Sequence, residues 1–226
     1  MRDILSDIDM IVFDGFGTLV EILDRRKPVA HLKRKMTLQK ASRFRQLALA
    51  TNMTLAEINA EIAGGATITD LEQAQIAIAR EVASTRLRPG VPEMLAALPV
   101  PYALCSNLSS DYVAALSRFP EIKPVSRILS CHVGYMKPQA EIYRLVIEAA
   151  GVPASRLLFV GDTPAADIDG PTRAGMRAMH IDELLALLIG GRADQDMRPH
   201  RERRDDFSTA FRAARGTIST DLDIES

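Results

Sequence analysis

Two cysteines, Cys105 and Cys131, are all that the 226 residues contain, too few for a disulfide framework. Each closes an apolar run, which predicts a buried, reduced thiol that packs as a small hydrophobe. Neither has a His–Asp context, which disfavours a cysteine nucleophile. The four histidines, His31, His132, His180 and His200, show no metal-ligand spacing and are read as structural or surface residues. A surplus of positive charge is missing too: the formal net charge is −1. With no overall excess of cations to displace counterions, a nucleic-acid partner is not expected. No apolar run approaches the ~20 residues of a membrane span. The opening Met-Arg-Asp-Ile-Leu-Ser-Asp-Ile-Asp is too acidic, and its apolar part too short, for a signal peptide. The expected location is therefore the cytoplasm.

What is present begins with an ordinary balance. Hydrophobic residues make up 47% and charged residues 25%, as in a soluble globule, and the length suits one domain with an insertion. The stretch Met10–Val20 organises the rest. Met10–Phe13 is an apolar run of strand type. It stops at Asp14, after which Gly15 and Gly17 permit a tight turn close to a ligand. A carboxylate at the C-terminal tip of a buried strand sits where open α/β sheets bind ligands. Taken alone, a plain Asp-Gly turn is the commoner reading.

Residues 20–88 change character. Nine basic residues fall between Arg25 and Arg45 with no acid among them. They are expected to pair with acids of neighbouring helices, such as Glu57, Glu61 and Glu72; attraction of an anionic substrate is the alternative. Leu55–Ile62 and Asp70–Val82 have amphipathic helical spacing, with Thr54 and with Thr69 or Asp70 as N-caps. Gly64-Gly65 separates them. The segment is predicted to be helical, with no strand of its own. After a short helix at Glu93–Leu98, strands are predicted at Tyr102–Cys105, Val125–Leu129, Leu157–Val160 and Arg177–Ile181. Helices are predicted at Ser110–Arg118, at Gln139–Ala150, from Gly161-Asp162-Thr163 on to Ala174, and at Asp182–Ile189. Such alternation predicts an α/β fold, a parallel sheet with helices on both faces. The expected division is a core of 1–19 and 89–190, a helical insertion of 20–88, and a weakly attached polar tail of 191–226.

Three strand ends then present polar groups: Asp14, Ser106-Asn107, and Asp162 with Asp167. A loop adds Lys137. All strand C-termini of a parallel sheet lie along one edge, so these groups can converge although far apart in sequence. Carboxylates with oxygen-rich neighbours suit a hard cation such as Mg²⁺. Lys137 can offset negative charge on a nucleophile and on a substrate phosphate, and Ser106 can donate to a phosphate oxygen. One carboxylate nucleophile, one cation and a set of donors are the parts needed for phosphoryl transfer through an aspartyl-phosphate.

These residues resemble a known family, the haloacid dehalogenase superfamily of hydrolases. Asp14-Gly-Phe-Gly-Thr-Leu is similar to its first motif and Leu104-Cys-Ser106-Asn107 to its second. Lys137-Pro138 is similar to the third, and Gly161-Asp162-Thr-Pro-Ala-Ala-Asp167 to the fourth. The resemblance covers about residues 8–190. It implies a Rossmann-like core, a mobile helical cap over 20–88 that closes on the substrate, and Asp14 as nucleophile. It also implies Mg²⁺ held by Asp14, the Phe16 carbonyl and Asp162, with Asp167 ligating directly or orienting a metal-bound water. Thr18, Ser106, Asn107 and Lys137 are the implied substrate-binding groups, with Lys137 catalytic as well. The implied partner is a small anionic substrate, a phosphorylated metabolite.

One position departs from the pattern. Phosphatases of this superfamily carry a second Asp two residues after the nucleophile, which protonates the leaving oxygen; here that position is Phe16. A benzyl side chain transfers no proton, and general acid–base help is worth typically ~10²–10⁴-fold. A weakened Mg²⁺-dependent phosphatase is thus the leading expectation. The alternatives are a 2-haloacid dehalogenase, whose halide leaves without protonation, and a non-catalytic binding protein on the same fold.

Overall fold

A computed structural model describes residues 3–190; the tail expected over 191–226 lies outside the described residues. The chain opens with α1 (Asp3–Ser6) and enters the sheet at β1 (Met10–Phe13). It leaves through β2 (Val20–Ile22) and forms α2 (Ala30–Arg34), α3 (Leu38–Ala50), α4 (Leu55–Glu61) and α5 (Ile68–Ala83). It returns through β3 (Thr85–Leu87). Then follow α6 (Val91–Ala96), β4 (Tyr102–Ser106), α7 (Val113–Leu116), β5 (Arg127–Leu129) and α8 (Ser130–Val133). The described chain ends with α9 (Ala140–Ala150), β6 (Leu157–Gly161), α10 (Gly170–Arg173), β7 (Arg177–His180) and α11 (Ile181–Ile189).

Five strands form one parallel sheet in the order β5-β4-β1-β6-β7. β1, β4 and β6 are buried at every residue, as central strands covered on both faces must be. Successive side chains point to opposite faces. Ile11, Phe13, Leu104 and Val160 join Val91, Met94, Leu184 and Leu185 in one core. Val12, Cys105 and Phe159 join Ile142, Tyr143 and Val146 in the other. So α6 and α11 cover one face and α9 the other, as the α/β alternation predicted. From β1 the chain order runs to β4 and β5 on one side and to β6 and β7 on the other. The crevice beyond the C-terminal end of β1 is therefore the switch point where such sheets bind ligands. Among the described residues no helix is long and apolar enough to cross a membrane.

Helices α2 to α5 enclose a third core, centred on Leu32, Phe44, Leu47, Leu55, Ile58 and Ile78. The expectation of an all-helical segment is corrected at both ends. Val20–Ile22 and Thr85–Leu87 pair antiparallel, Val20 opposite Leu87 and Ile22 opposite Thr85. β-branched residues at these positions fit a pleated ribbon, and the two crossings lie side by side. A second correction concerns the start of α5. Its N-cap is Thr67, whose hydroxyl accepts from the Asp70 N–H while Asp70 accepts from the Thr67 N–H at 2.8 Å. This reciprocal pairing, the capping-box logic, puts Thr69 and Asp70 inside the helix. The basic run also finds a different partner: Lys35 pairs with Asp70 at 2.7 Å, while Glu57 is occupied by its own N-cap, Thr54. Farther on, two predicted helices divide. Ser110–Tyr112 is a 3₁₀ turn leading into α7, and Pro164–Asp169 is a π-helical turn leading into α10.

Glu81, in the last turn of α5, ties the loop after β2 to the end of α5 and to Tyr112. It is only 5% exposed. Its Oε1 accepts the backbone N–H groups of Arg26 at 2.6 Å and Lys27 at 2.9 Å. Its Oε2 accepts the Tyr112 hydroxyl. Burial, and then Glu81 itself, raise the Tyr112 phenol above its ordinary value, so Tyr112 stays a donor. Removing a buried acceptor leaves its donors without partners. Glu81→Ala is expected to lower the unfolding free energy by about 2 kcal/mol, and Glu81→Gln, which keeps an acceptor, by less; urea denaturation measures both.

Candidate active site

The site forms where β4, β1 and β6 end side by side. Phe13 is in register with Leu104 on one flank and with Val160 on the other. Asp14, one residue on, still donates its N–H to the Val160 carbonyl at 2.9 Å. Ser106 ends β4 and Gly161 ends β6, so Ser106 and Asp162 flank Asp14 from either side. The turn after Asp14 is closed from within: Leu19 and Val20 donate to the Gly15 carbonyl, and Gly17 donates to the Val20 carbonyl at 2.8 Å. Gly17 has φ +93, and a Cβ there would lie 2.5 Å from Asp162 Oδ2. Only glycine lets this turn adopt a left-handed backbone and admit the neighbouring carboxylate.

Lys137 is the centre of the charge arrangement. Its Nζ lies 2.9 Å from Asp14 Oδ1 and 2.7 Å from Asp167 Oδ1. It also stands over the Phe159 ring, 5.0 Å from the centroid, where the ring face attracts a cation. Ser106 Oγ donates to the same Asp14 oxygen at 2.9 Å, and Thr18 Oγ1 makes a longer contact, 3.5 Å, with Asp14 Oδ2. The Lys137 backbone is held by Asn107, whose Oδ1 accepts the Lys137 N–H and whose Nδ2 donates to the Lys137 carbonyl, both at 2.8 Å. Asn107, expected among the substrate contacts, has both ends of its amide engaged in holding that loop.

The acids converge from β1, from the end of β6 and from the π-helical turn. Asp14, Asp162 and Asp167 each offer an oxygen within 4.8 Å of the others. Asp167 is steadied by the Thr163 N–H, which donates to its Oδ2 at 2.9 Å, and its turn is braced by Tyr143, whose hydroxyl donates to the Ala166 carbonyl at 2.5 Å. Gly161 leaves room for it: a Cβ there would lie 2.4 Å from Asp167 Oδ2.

Electrostatics sort these groups. Burial opposes the Lys137 charge, but Asp14 and Asp167 outweigh it and keep the ammonium pKa above the lysine range. Burial raises the Asp162 carboxyl, and the charges of Asp14 and Asp167 raise it further. Burial likewise raises Asp167, with Asp14 adding and Lys137 opposing. Three carboxylates face one ammonium, and the oxygen donors are of the kind a hard divalent cation takes. Cys105 lies beneath them, its thiol pushed up by burial to about 12; it is unpaired and buried, the inert thiol expected. Phe16 turns its ring edge-on to Tyr112, centroids 5.8 Å apart, and the Gly17–Val20 bond fixes the peptide plane that carries the Phe16 carbonyl. Sequence reasoning missed Tyr112, Glu81 and Arg88 around this turn. Each is an isolated residue outside any motif, and only the fold brings it near.

Comparison with known proteins places this geometry in context. The family model described as haloacid dehalogenase-like hydrolase matches residues 8–175. A phosphoserine phosphatase of Thermus thermophilus is 36% identical over 55 residues, which are 24% of this chain and 22% of that protein. The chain thus matches about a fifth of the length of that curated relative. Among solved structures, a magnesium complex of a HAD family enzyme from Bacteroides thetaiotaomicron superposes with a TM-score of 0.60. It is 18% identical, over 77% of this chain and 93% of that one. A 2-haloacid dehalogenase from Pseudomonas syringae pv. Tomato is similar at a TM-score of 0.51 and 20% identity, over 76% of this chain and 85% of that one. At these identities the structural likeness establishes the fold.

The crowding of acids generates a test. The Asp162 carboxyl is raised in the folded state, so its ionised form opposes folding near neutral pH. Asp162→Asn is therefore expected to raise the thermal midpoint of the chelator-treated protein. Added MgCl₂ is expected to raise the midpoint of the unaltered protein and to leave that of Asp162→Asn unchanged. Differential scanning calorimetry with and without EDTA reads both.

Proposed function

The chain belongs to the haloacid dehalogenase-like hydrolases, and from that premise we propose that it is a Mg²⁺-dependent hydrolase of phosphatase type acting on a small phosphorylated metabolite. The observation that carries this reading is the meeting of Asp14, Asp162 and Asp167 within 4.8 Å around the Lys137 ammonium. Asp14, Asp162 and Asp167 would hold the ion, together with the Phe16 carbonyl. When bound, Mg²⁺ supplies charge neutralisation and orientation of the phosphoryl group.

The chain's own residues do the rest. A carboxylate oxygen of Asp14 attacks phosphorus, the bond to the leaving oxygen breaks, and the leaving group departs with the electron pair. Water then attacks the aspartyl-phosphate and releases phosphate with Asp14 restored. Lys137 and Ser106 fix Asp14 through its Oδ1, and Lys137 offsets the charge that gathers as phosphate and carboxylate meet. Thr18 supplies a donor for a phosphate oxygen, and the single Ser106 hydroxyl proton, which goes to Asp14 in the structure, turns to a phosphate oxygen when one is bound. Helices α2 to α5 act as a cap that excludes water from the reacting groups. Phe16 places an aromatic edge, packed on Tyr112, where a proton donor would stand. The enzyme is therefore suited to leaving groups that depart unprotonated, as acyl and aryl phosphates allow.

A 2-haloacid dehalogenase is the second reading, favoured by the same Phe16, because halide needs no proton. Three clustered carboxylates count against it: without a cation they would repel a carboxylate substrate.

Phosphate release from acetyl phosphate or p-nitrophenyl phosphate in MgCl₂ tests the first reading. It should cease in EDTA and fall on the order of a thousandfold or more in Asp14→Asn. Chloride release from 2-chloropropionate in EDTA, with no phosphate release in MgCl₂, would replace it with the second. Phe16→Asp restores a proton donor and is expected to raise turnover of alkyl phosphates by about tenfold or more. Acetyl phosphate turnover should change little, which a parallel assay of the two substrates measures.

A further inference from the structure

Arg88 is the first residue after β3, where the chain returns to the core. Its backbone N–H donates to the Leu19 carbonyl at 2.9 Å. Its guanidinium forks: Nη1 donates to the Gly17 carbonyl at 2.9 Å, and Nη2 pairs with Asp182. The Arg88 side chain is 15% exposed and that of Asp182 47%, so the bond to Gly17 is partly sheltered from water while the pair with Asp182 faces it. Asp182 stands in the first turn of α11, whose Leu184 and Leu185 are buried in the core. The fork therefore fastens the turn to the core and not to the insertion.

That turn carries the nucleophile at its start and lies against Asp162 at Gly17. The bonds among Gly15, Gly17, Leu19 and Val20 give the turn its shape from within. The bond from Arg88 reaches it from outside, at the very residue whose missing side chain admits the Asp162 carboxylate. A carbonyl held by a rigid planar fork has little room to swing, and Gly17, at φ +93, has no Cβ of its own to restrain it.

We propose that Arg88 is a positioning residue of the phosphoryl-transfer site: its guanidinium, anchored on Asp182, sets where the Asp14–Thr18 turn stands relative to Asp162. The proposal rests on the function given above. It touches no substrate in this role and acts through the Gly17 carbonyl.

The test uses the full chain and two readouts, Mg²⁺ titration by calorimetry and steady-state hydrolysis of acetyl phosphate. Arg88→Ala is expected to lower kcat by about tenfold to a hundredfold with KM within about threefold, the signature of misplaced reacting groups. The Mg²⁺ dissociation constant should rise by about tenfold, since Asp14 and Asp162 no longer stand in register. Arg88→Lys keeps a donor without the fork and should recover part of both. Asp182→Asn spares the Gly17 bond and should cost less than Arg88→Ala. A folded Arg88→Ala protein with kcat and Mg²⁺ affinity within about twofold of the unaltered chain overturns the proposal. So does a loss that merely follows its unfolded fraction. Should the unaltered chain bind Mg²⁺ yet hydrolyse nothing, the phosphatase reading falls and the Mg²⁺ titration alone decides on Arg88. Should it do neither, both fall.

Discussion

The ammonium of Lys137 lies between Asp14 and Asp167, and the placement of the other groups at the sheet edge follows from it. Two carboxylates at the 4.8 Å limit of this cluster repel by about 3 kcal/mol at an effective dielectric of 20, and here three must coexist. Lys137 relieves two of them directly and is itself held by Asn107 through a pair of backbone bonds. The face of Phe159 lies beneath it. Asp162 makes no ion pair with Lys137, and burial, then the charges of Asp14 and Asp167, raise its carboxyl. Three carboxylates against one ammonium leave the site short of positive charge, with oxygen donors of the kind a divalent ion takes.

The sheet gives this arrangement its precision. β1 is flanked by β4 and β6, and three consecutive strand ends supply Asp14, Ser106 and Asp162 from a layer that is buried on both faces. Asp167 arrives differently, from a π-helical turn. The wide turn lets an acid five residues past Asp162 fold back under Gly161, with Tyr143 bracing the carbonyl of Ala166. Elements that carry side chains into a site must be more rigid than the site itself, and Asp14, Asp167 and Lys137 are each held at the backbone as well as at the side chain.

Much of this was legible from residues alone, for identifiable reasons. β1, β4 and β6 announce themselves as apolar runs that end in polar residues, and parallel alternation brings those ends together without further information. Gly151 closes α9 as the pattern requires. What failed to show were elements whose identity depends on a distant partner. Val20–Ile22 and Thr85–Leu87 are too short to be strands unless each finds the other. Val125 has the apolar character of a strand residue, yet it lies outside β5 and is 64% exposed. Thr67, Thr69 and Asp70 all suit an N-cap within four residues, and only the reciprocal bond between Thr67 and Asp70 decides. Phe16 was visible as a departure, but its contact with Tyr112, and through Tyr112 with Glu81, belongs to packing between segments. That contact gives the aromatic residue a structural duty beside Asp14, joining the site's rim to α5 and the loop after β2.

The bond between Lys137 and Asp14 spans 123 residues of chain, and this separation has a consequence for the newborn protein. At about 5–20 residues per second of synthesis, roughly 6 to 25 seconds pass between the emergence of the two partners. Throughout that interval Asp14 has neither its ammonium nor its companion acids, and β1, the middle strand, lacks its β6 neighbour. A ribosome-bound fragment therefore lacks the assembled cluster, which arrives late, with the final third of the described chain.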